Sequence, residues 1–255
     1  AFVPSYFGKL NNMAITDYLF DPTALFVFGC LTVAPAMAFL ENPETAVAHT
    51  ISYLLDPAML AGFAVLTLTT WGTGRWEKLS GHNRRLAMWF LLNGSFIHIT
   101  MDGMTGGWHF LDLLDKHYRT LDQRFNTDEA TSWLITQLEL FIMAPLCLLT
   151  FRAYVKNSPS KYPLNLLTST FQLLGAVFFF GTEIINDFVN VPADREFAFT
   201  FHHLLYFWFG YGANVIWIVI PIYLMWSSYS SIVTKLEAAP VPKSTNNIPK
   251  RQKSK

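Results

Sequence analysis

Apolar residues in this chain come in long runs, not at the alternate or one-faced spacing of soluble strands and helices. Five runs, at about 57–73, 86–105, 132–151, 164–182 and 204–226, approach the ~20 residues needed to cross a bilayer. A shorter run at 24–40 contains Pro35, and either crossing or lying at the interface fits its length. Pro145 is expected to bend the run at 132–151. The pattern predicts an all-α, polytopic membrane helix bundle. Residues 1–56 form an N-terminal segment with room for an extra membrane helix, 57–226 a five-helix membrane domain, and 227–255 a basic, disordered tail.

The connectors alternate in charge. Those at 74–86 (Arg75, Lys78, Arg84 and Arg85 against Glu77) and at 152–163 (Arg152, Lys156, Lys161) are basic, as is the tail; those at 41–56, 106–131 and 184–203 are not. The positive-inside rule then places the basic set, and the C-terminus, in the cytoplasm. The connector at 106–131 also carries Trp108, Phe110, Leu113 and Leu114, so part of it is expected to fold back onto the membrane surface or the bundle.

Composition agrees. Of 255 residues, 52% are hydrophobic and only 14% charged, against roughly 25% charged in ordinary soluble domains. The formal net charge of zero provides no basic field for nucleic acid. The 23 phenylalanines and 8 tryptophans suit the lining of an apolar pocket. Cys30 and Cys147 lie inside apolar runs without metal or redox spacing and read as small buried hydrophobes. The opening Ala1-Phe-Val-Pro lacks the basic region of a cleavable signal peptide.

The chemistry concentrates at polar groups set deep in apolar runs. His98 and Asp102 stand four residues apart and share one helix face. An ionisable group at membrane depth costs at least ~2.5–3.5 kcal/mol, tolerated where it faces a protein interior or polar cavity. Two readings are open: a functional pair, or a helix-end pair with His98 satisfied by a backbone carbonyl. Glu139 lies inside its run near Gln137; a neutral carboxyl in a dry pocket can donate a proton. Glu183 ends its run and reads as interfacial. Asn214 and Trp217, three residues apart, share a face, with packing or cation stabilisation as alternatives for the indole. His202 and His203 are adjacent, hence on different faces, and Gly103, Gly106 and Gly107 follow no strand, so neither a zinc helix nor a nucleotide loop is indicated. Together these groups describe an aromatic-lined cavity suited to proton transfer through a carbocation: an acid protonates an alkene, and a base removes a neighbouring proton.

Three stretches resemble the emopamil-binding protein family, the EXPERA-type sterol Δ8–Δ7 isomerases. Gly94-Ser-Phe-Ile-His98-Ile-Thr-Met-Asp102-Gly103 resembles the family's G-F-I-H-x-x-x-E-G. Gly175 to Glu183 resembles its helix ending F-x-T-E. Tyr206-Phe-Trp-Phe with Asn214-Val-Ile-Trp217-Ile-Val-Ile-Pro221 resembles Y-F-W-F…N-x-x-W-x-V-x-P. The resemblance covers most of 57–226. It implies a five-span bundle of the endoplasmic reticulum membrane, often dimeric, that moves a sterol double bond without metal or redox cofactor and also binds cationic amphiphiles. It assigns His98 and Asp102 to catalysis, and Asn214, Trp217, Tyr206 and, with a less certain role, Glu183 to the substrate.

Two departures stand out. Asp102 replaces a family Glu, one methylene shorter. Counting back from Pro145, Thr136 occupies the position of the family's catalytic Glu, and Glu139 that of its Thr. On an ideal helix this exchange moves the carboxyl ~60° around and ~4.5 Å along the axis. The expectation is a sterol isomerase-like enzyme using His98, Asp102, Glu139 and Thr136; the alternatives are an isomerase of another polycyclic terpenoid or a non-catalytic binder of sterols or cationic amphiphiles. A channel is disfavoured because the polar groups cluster. The C-terminal Lys253 and Lys255 resemble a dilysine-type retrieval signal, with a lipid-attracted basic tail as the alternative.

Overall fold

The computed structural model describes residues 42–55, 57–73, 81–110, 112–187, 189–190 and 213–239, with Asp21, Pro22, Leu79 and isolated positions between 25 and 39. Every regular element among them is helical. Helix α1 spans Ala46–Leu54 and α2 Pro57–Thr73. Helix α3, Gly81–Leu92, runs without a break into a π-helical stretch, Asn93–Gly107. Helix α4 is Asp112–Leu121, followed by a 3₁₀ turn at Gln123–Phe125. Helix α5 is Ala130–Val155, with a π turn at Glu139–Met143. Helix α6 is Lys161–Ile185, and α7, Ile216–Glu237, follows a 3₁₀ turn at Ala213–Val215.

Helices α5, α6 and α7 are long and apolar enough to cross a membrane. Helix α2, at 17 residues, sits at the short limit of about 17. The expected span at 86–105 falls on α3 and the π stretch, where the polar residues gather. The run at 24–40, with Cys30, lies mostly outside the described residues, as do residues 204–212 and the tail from 240. The outward side chains of the long helices, among them Leu134, Phe141, Val219, Ile222 and Trp226, are exposed and apolar, as a lipid-facing surface requires.

Helix α7 does not stop at 226. It continues through Ser227–Glu237, so the first part of the expected tail is helix. The serines there do not break it because they can bond to the helix's own carbonyls: Ser231 Oγ donates to the Ser227 carbonyl at 2.8 Å. Ser228 is buried.

Helix α7 packs along α6, α3 along the C-terminal half of α5, and α2 against the π stretch. Between them lies a core of Leu66, Met88, Phe90, Leu91, Phe96, Phe151, Tyr154 and Leu224. The Phe90 and Tyr154 rings stack at 6.0 Å, a contact worth roughly 0.5–1.5 kcal/mol beyond area burial. The π stretch presses hard on α5. A Cβ at Gly94 would stand 2.9 Å from Cys147 Cβ and 3.1 Å from the Ala144 carbonyl oxygen. Glycine is required there for close approach. Gly94→Val is therefore expected to destabilise the protein by roughly 1–3 kcal/mol, as overpacked cores do, read as a lowered thermal midpoint in detergent.

Candidate active site

The site forms where two π-helical segments face each other. In a π-helix backbone bonds run from residue i to i+5, and such segments normally appear as single turns, frequently at functional sites. The stretch at Asn93–Gly107 is fifteen residues long. Its side chains repeat the wider register: Thr100 Oγ1 donates to the Ser95 carbonyl and Thr105 Oγ1 to the Thr100 carbonyl, both five residues back. At the change of register, Asn93 and Ser95 donate to the Trp89 and Leu91 carbonyls. Opposite, the π turn of α5 begins at Glu139. Pro145, which lacks an N–H, stands two residues beyond its end.

His98 is 2% exposed at its side chain, whereas Asp102 and Glu139 are each 18% exposed. The ring therefore lies behind the two carboxyls. His98 Nδ1 stands 3.1 Å from Asp102 Oδ2 and 4.0 Å from Glu139 Oε1. The Tyr118 hydroxyl, on α4, donates to Asp102 Oδ1 at 3.1 Å. Both Asp102 oxygens thus have hydrogen-bond partners, while no hydrogen bond holds the Glu139 carboxyl among the described residues. On the far side of the ring, His98 Nε2 lies 3.3 Å from Gln172 Nε2, on α6, which also reaches Cys147 Sγ at 3.8 Å. One donor atom from each of His98, Asp102 and Glu139 lies within 4.8 Å of the others. Such a set can pass a proton; the same atoms would also accept a small divalent cation, which sequence spacing did not indicate.

Trp217 reaches this region from α7. Its Nε1 donates to Asn93 Oδ1 at 2.7 Å, and its ring lies 5.9 Å from that of Trp89. Asn93 precedes His98 by five residues, so the paired indoles are tied to the same stretch that carries the acid–base group. Asn214 lies in the 3₁₀ turn before α7, half-buried. Tyr206 lies outside the described residues.

Two expected site residues stand elsewhere. Thr136 precedes the π turn and faces the end of the π stretch: a Cβ at Gly107 would lie 2.7 Å from its Oγ1. Its hydroxyl donates to the Trp133 carbonyl at 2.8 Å and accepts from Gln137. Of the exchanged pair, Glu139 joins His98 and Thr136 does not. The Glu183 side chain, at the end of its run, is completely buried, 3.2 Å from Arg124 Nε and accepting from Asn190 at 2.7 Å. Arg124 is also bound by Asp122, by the Phe179 carbonyl at 3.0 Å and by Thr182 Oγ1 at 2.8 Å, with its guanidinium 4.4 Å over the Phe179 ring. Along α6, Glu183 is eleven residues past Gln172, about 16 Å of helix at the standard rise. This network fastens the connector at 106–131 to α6. Phe125, next to Arg124, packs edge-on against Tyr118 at 5.0 Å, so the clamp bears on the residue that holds Asp102.

Tyr118, Gln172 and Asn93 were not singled out in the sequence. Gln172 carried a signal, being an amide in the middle of an apolar run. The folding back of 106–131 was expected, but which of its residues would reach inward was not.

Residues 110–228 match the model of the EXPERA (expanded EBP) superfamily. The match takes in Tyr118, Glu139, Gln172 and Trp217 and begins after His98 and Asp102. The chain is 29% identical over 150 residues to the 3β-hydroxysteroid-Δ8,Δ7-isomerase of Rattus norvegicus, covering 55% of this chain and 62% of that protein. It is 27% identical over 184 residues to the enzyme of the same name from Cavia porcellus, covering 65% and 74%. It is also 27% identical over 175 residues to isomeliandiol synthase of Ailanthus altissima, covering 64% and 76%. The chain thus spans less than two thirds of the rat enzyme it matches.

Removing one partner of the buried Arg124–Glu183 pair strands a charge without compensation. Arg124→Met is expected to destabilise the protein by ~3–5 kcal/mol, measured as thermal unfolding in detergent. The Arg124→Met/Glu183→Met double variant is expected to recover part of that loss.

Proposed function

From the premise that this chain is a divergent member of the EXPERA superfamily, we propose that it is a membrane-embedded isomerase. It shifts a carbon–carbon double bond in a polycyclic lipid, in the manner of the sterol Δ8–Δ7 isomerases. The observation that carries the reading is the convergence of His98, Asp102 and Glu139 between two π-helical segments.

Glu139 is the proton donor. Its side chain is more exposed than the His98 ring, and no hydrogen bond holds its carboxyl among the described residues. The alkene π electrons take its proton, forming one C–H bond and leaving a carbocation at the neighbouring carbon. The indole faces of Trp217 and Trp89, with the Asp102 carboxylate, stabilise that charge. Asp102, oriented by His98 and Tyr118, takes a proton from the carbon on the other side of the cation; the electrons of that C–H bond become the new double bond. The proton returns to Glu139 through His98, whose Nδ1 lies between the two carboxyls. The cycle consumes no net proton. Asn214 supports Trp217 at the cation, Tyr206 lines the substrate path, and Glu183 serves by anchoring the connector that carries Tyr118.

A second reading has the same chemistry acting on another polycyclic terpenoid. The displaced Glu139 and the likeness to isomeliandiol synthase favour it, because a carboxyl delivered from a different turn selects a different alkene carbon. The charge alternation of the connectors supports a cytoplasmic C-terminus, and the basic tail supports residence in the endoplasmic reticulum; the family resemblance supports a homodimer.

The test is conversion of a Δ8 sterol by purified protein in D2O, with a chelator present. The expected result is Δ7 product carrying deuterium at C9, with the rate lowered about 10²–10⁴-fold in Glu139→Gln, the contribution typical of general acid–base catalysis. No product from a sterol, with conversion of a tetracyclic terpenoid, would favour the second reading. Binding of amine amphiphiles without conversion of either substrate would leave a binding protein.

A further inference from the structure

A second concentration of unusual charge lies where α6 begins and α7 ends. Lys161 is the first residue of α6, and Lys235 lies in the last turn of α7. The two helices pack along each other. At the standard rise α6 is about 37 Å long and α7 about 33 Å, against roughly 30 Å for the hydrocarbon core of a bilayer. As membrane spans, their ends reach the headgroup layer. The connector at this end, 152–163, is basic.

Lys161 is only 7% exposed. Its Nζ donates to Asn157 Oδ1 at 2.8 Å and stands 5.6 Å from the centroid of the Tyr154 ring and 5.3 Å from that of Tyr162. The exposed Lys235 brings its Nζ to 5.2 Å from the same Tyr162 ring. Neither ammonium has a salt bridge to a carboxylate among the described residues. A buried lysine is ordinarily paired with an anion; this one has a neutral amide and aromatic faces. Its position enlarges the deficit. The start of a helix carries the positive end of its dipole, which acidic residues usually answer. The first turn of α6 has no acidic residue, and the Ser160 side chain caps no backbone N–H. Two ammoniums and a helix N-terminus thus share one corner, and like charges repel without an anion between them.

The corner is firmly built. Tyr154 stacks on Phe90, and its hydroxyl accepts from Asn165, which Ser169 holds in turn. Asn157 is set by the turn that ends α5, at φ 50°, a left-handed conformation that asparagine tolerates.

We propose that this corner binds the headgroup phosphate of an anionic phospholipid, with Lys161 and Lys235 pairing with its charge. Lysine takes phosphate as a point charge, and tyrosine favours the level between headgroup and acyl chain, where Tyr162 stands. Lipid fits better than a soluble anion because the site caps two membrane helices, whose exposed Leu167 and Leu236 offer apolar surface to the acyl chains. Along α6, Lys161 is eleven residues before Gln172, about 16 Å of helix, so the site is separate from the His98 group and independent of the isomerase reading.

The experiment follows the thermal midpoint of the full-length protein in non-ionic detergent while dioleoylphosphatidylserine or dioleoylphosphatidylcholine is titrated in. The serine lipid is expected to raise the midpoint saturably and the choline lipid to leave it unchanged. Lys235→Gln, at an exposed position, is expected to need about fivefold more serine lipid for half the effect, as the loss of one lysine at an anionic surface implies. Lys161→Gln is expected to lose the response; if that variant fails to fold, Lys235→Gln decides alone. Lys156→Gln, exposed on the same connector, is expected to respond as the wild type does. An equal response to both lipids, or a Lys235→Gln response equal to that of the wild type, would overturn the proposal. So would a loss as large in Lys156→Gln, the mark of diffuse attraction to a basic face, or an equal shift from sodium phosphate at the same concentration, the mark of a site for a soluble anion.

Discussion

An imidazole and two carboxyls set among apolar helices are tolerated only if they answer one another. Each would be expensive alone at membrane depth. Together, His98 has Asp102 at 3.1 Å and Glu139 at 4.0 Å, and Asp102 takes a further hydrogen bond from Tyr118. Much else in the fold serves that mutual approach. Glycine at 94 lets the π stretch press against Cys147 and Ala144 of α5, and glycine at 103 lets it press against Leu140, beside Glu139. The π register of both segments sets which side chains face across the contact.

The same economy of charge governs the other buried ions. Arg124, Asp122 and Glu183 have no solvent to rely on, so they pair with one another and with the Thr182 hydroxyl, although Glu183 Oε2 has no hydrogen-bond partner among the described residues. Such a pair contributes little net stability compared with apolar residues of the same shape, but it is costly to break and defines one geometry. Here the geometry is that of the connector between the π stretch and α5. It delivers Tyr118 to Asp102, so a cluster remote from His98 bears on how the site carboxylate is aimed.

Much of the architecture was legible because it depends on apolar run length. The run at 57–73 is helix α2 itself, and the cores of α5 and α6 were found to within a few residues. The pairing of His98 with Asp102 was legible because four residues bring side chains together on a helix. The fate of Glu139 and Thr136 was not, since the ideal-helix offset assumes a uniform α register and the π turn begins at Glu139 itself. The partner of Glu183 was not legible because position at the end of an apolar run says nothing of a cation arriving from about sixty residues earlier. Gln172, Tyr118 and Asn93 act across helices, and single-sequence spacing has no access to such contacts.

The central claim is that residue 139, not residue 136, is where this bundle presents its acid. The most direct measurement is double-bond isomerisation by the exchanged variant Thr136→Glu/Glu139→Thr, which restores the order of the family motif. The account predicts a folded protein that binds substrate but turns it over no faster than Glu139→Gln, because position 136 faces Gly107 and not His98. Activity equal to or above that of the unaltered protein would contradict it.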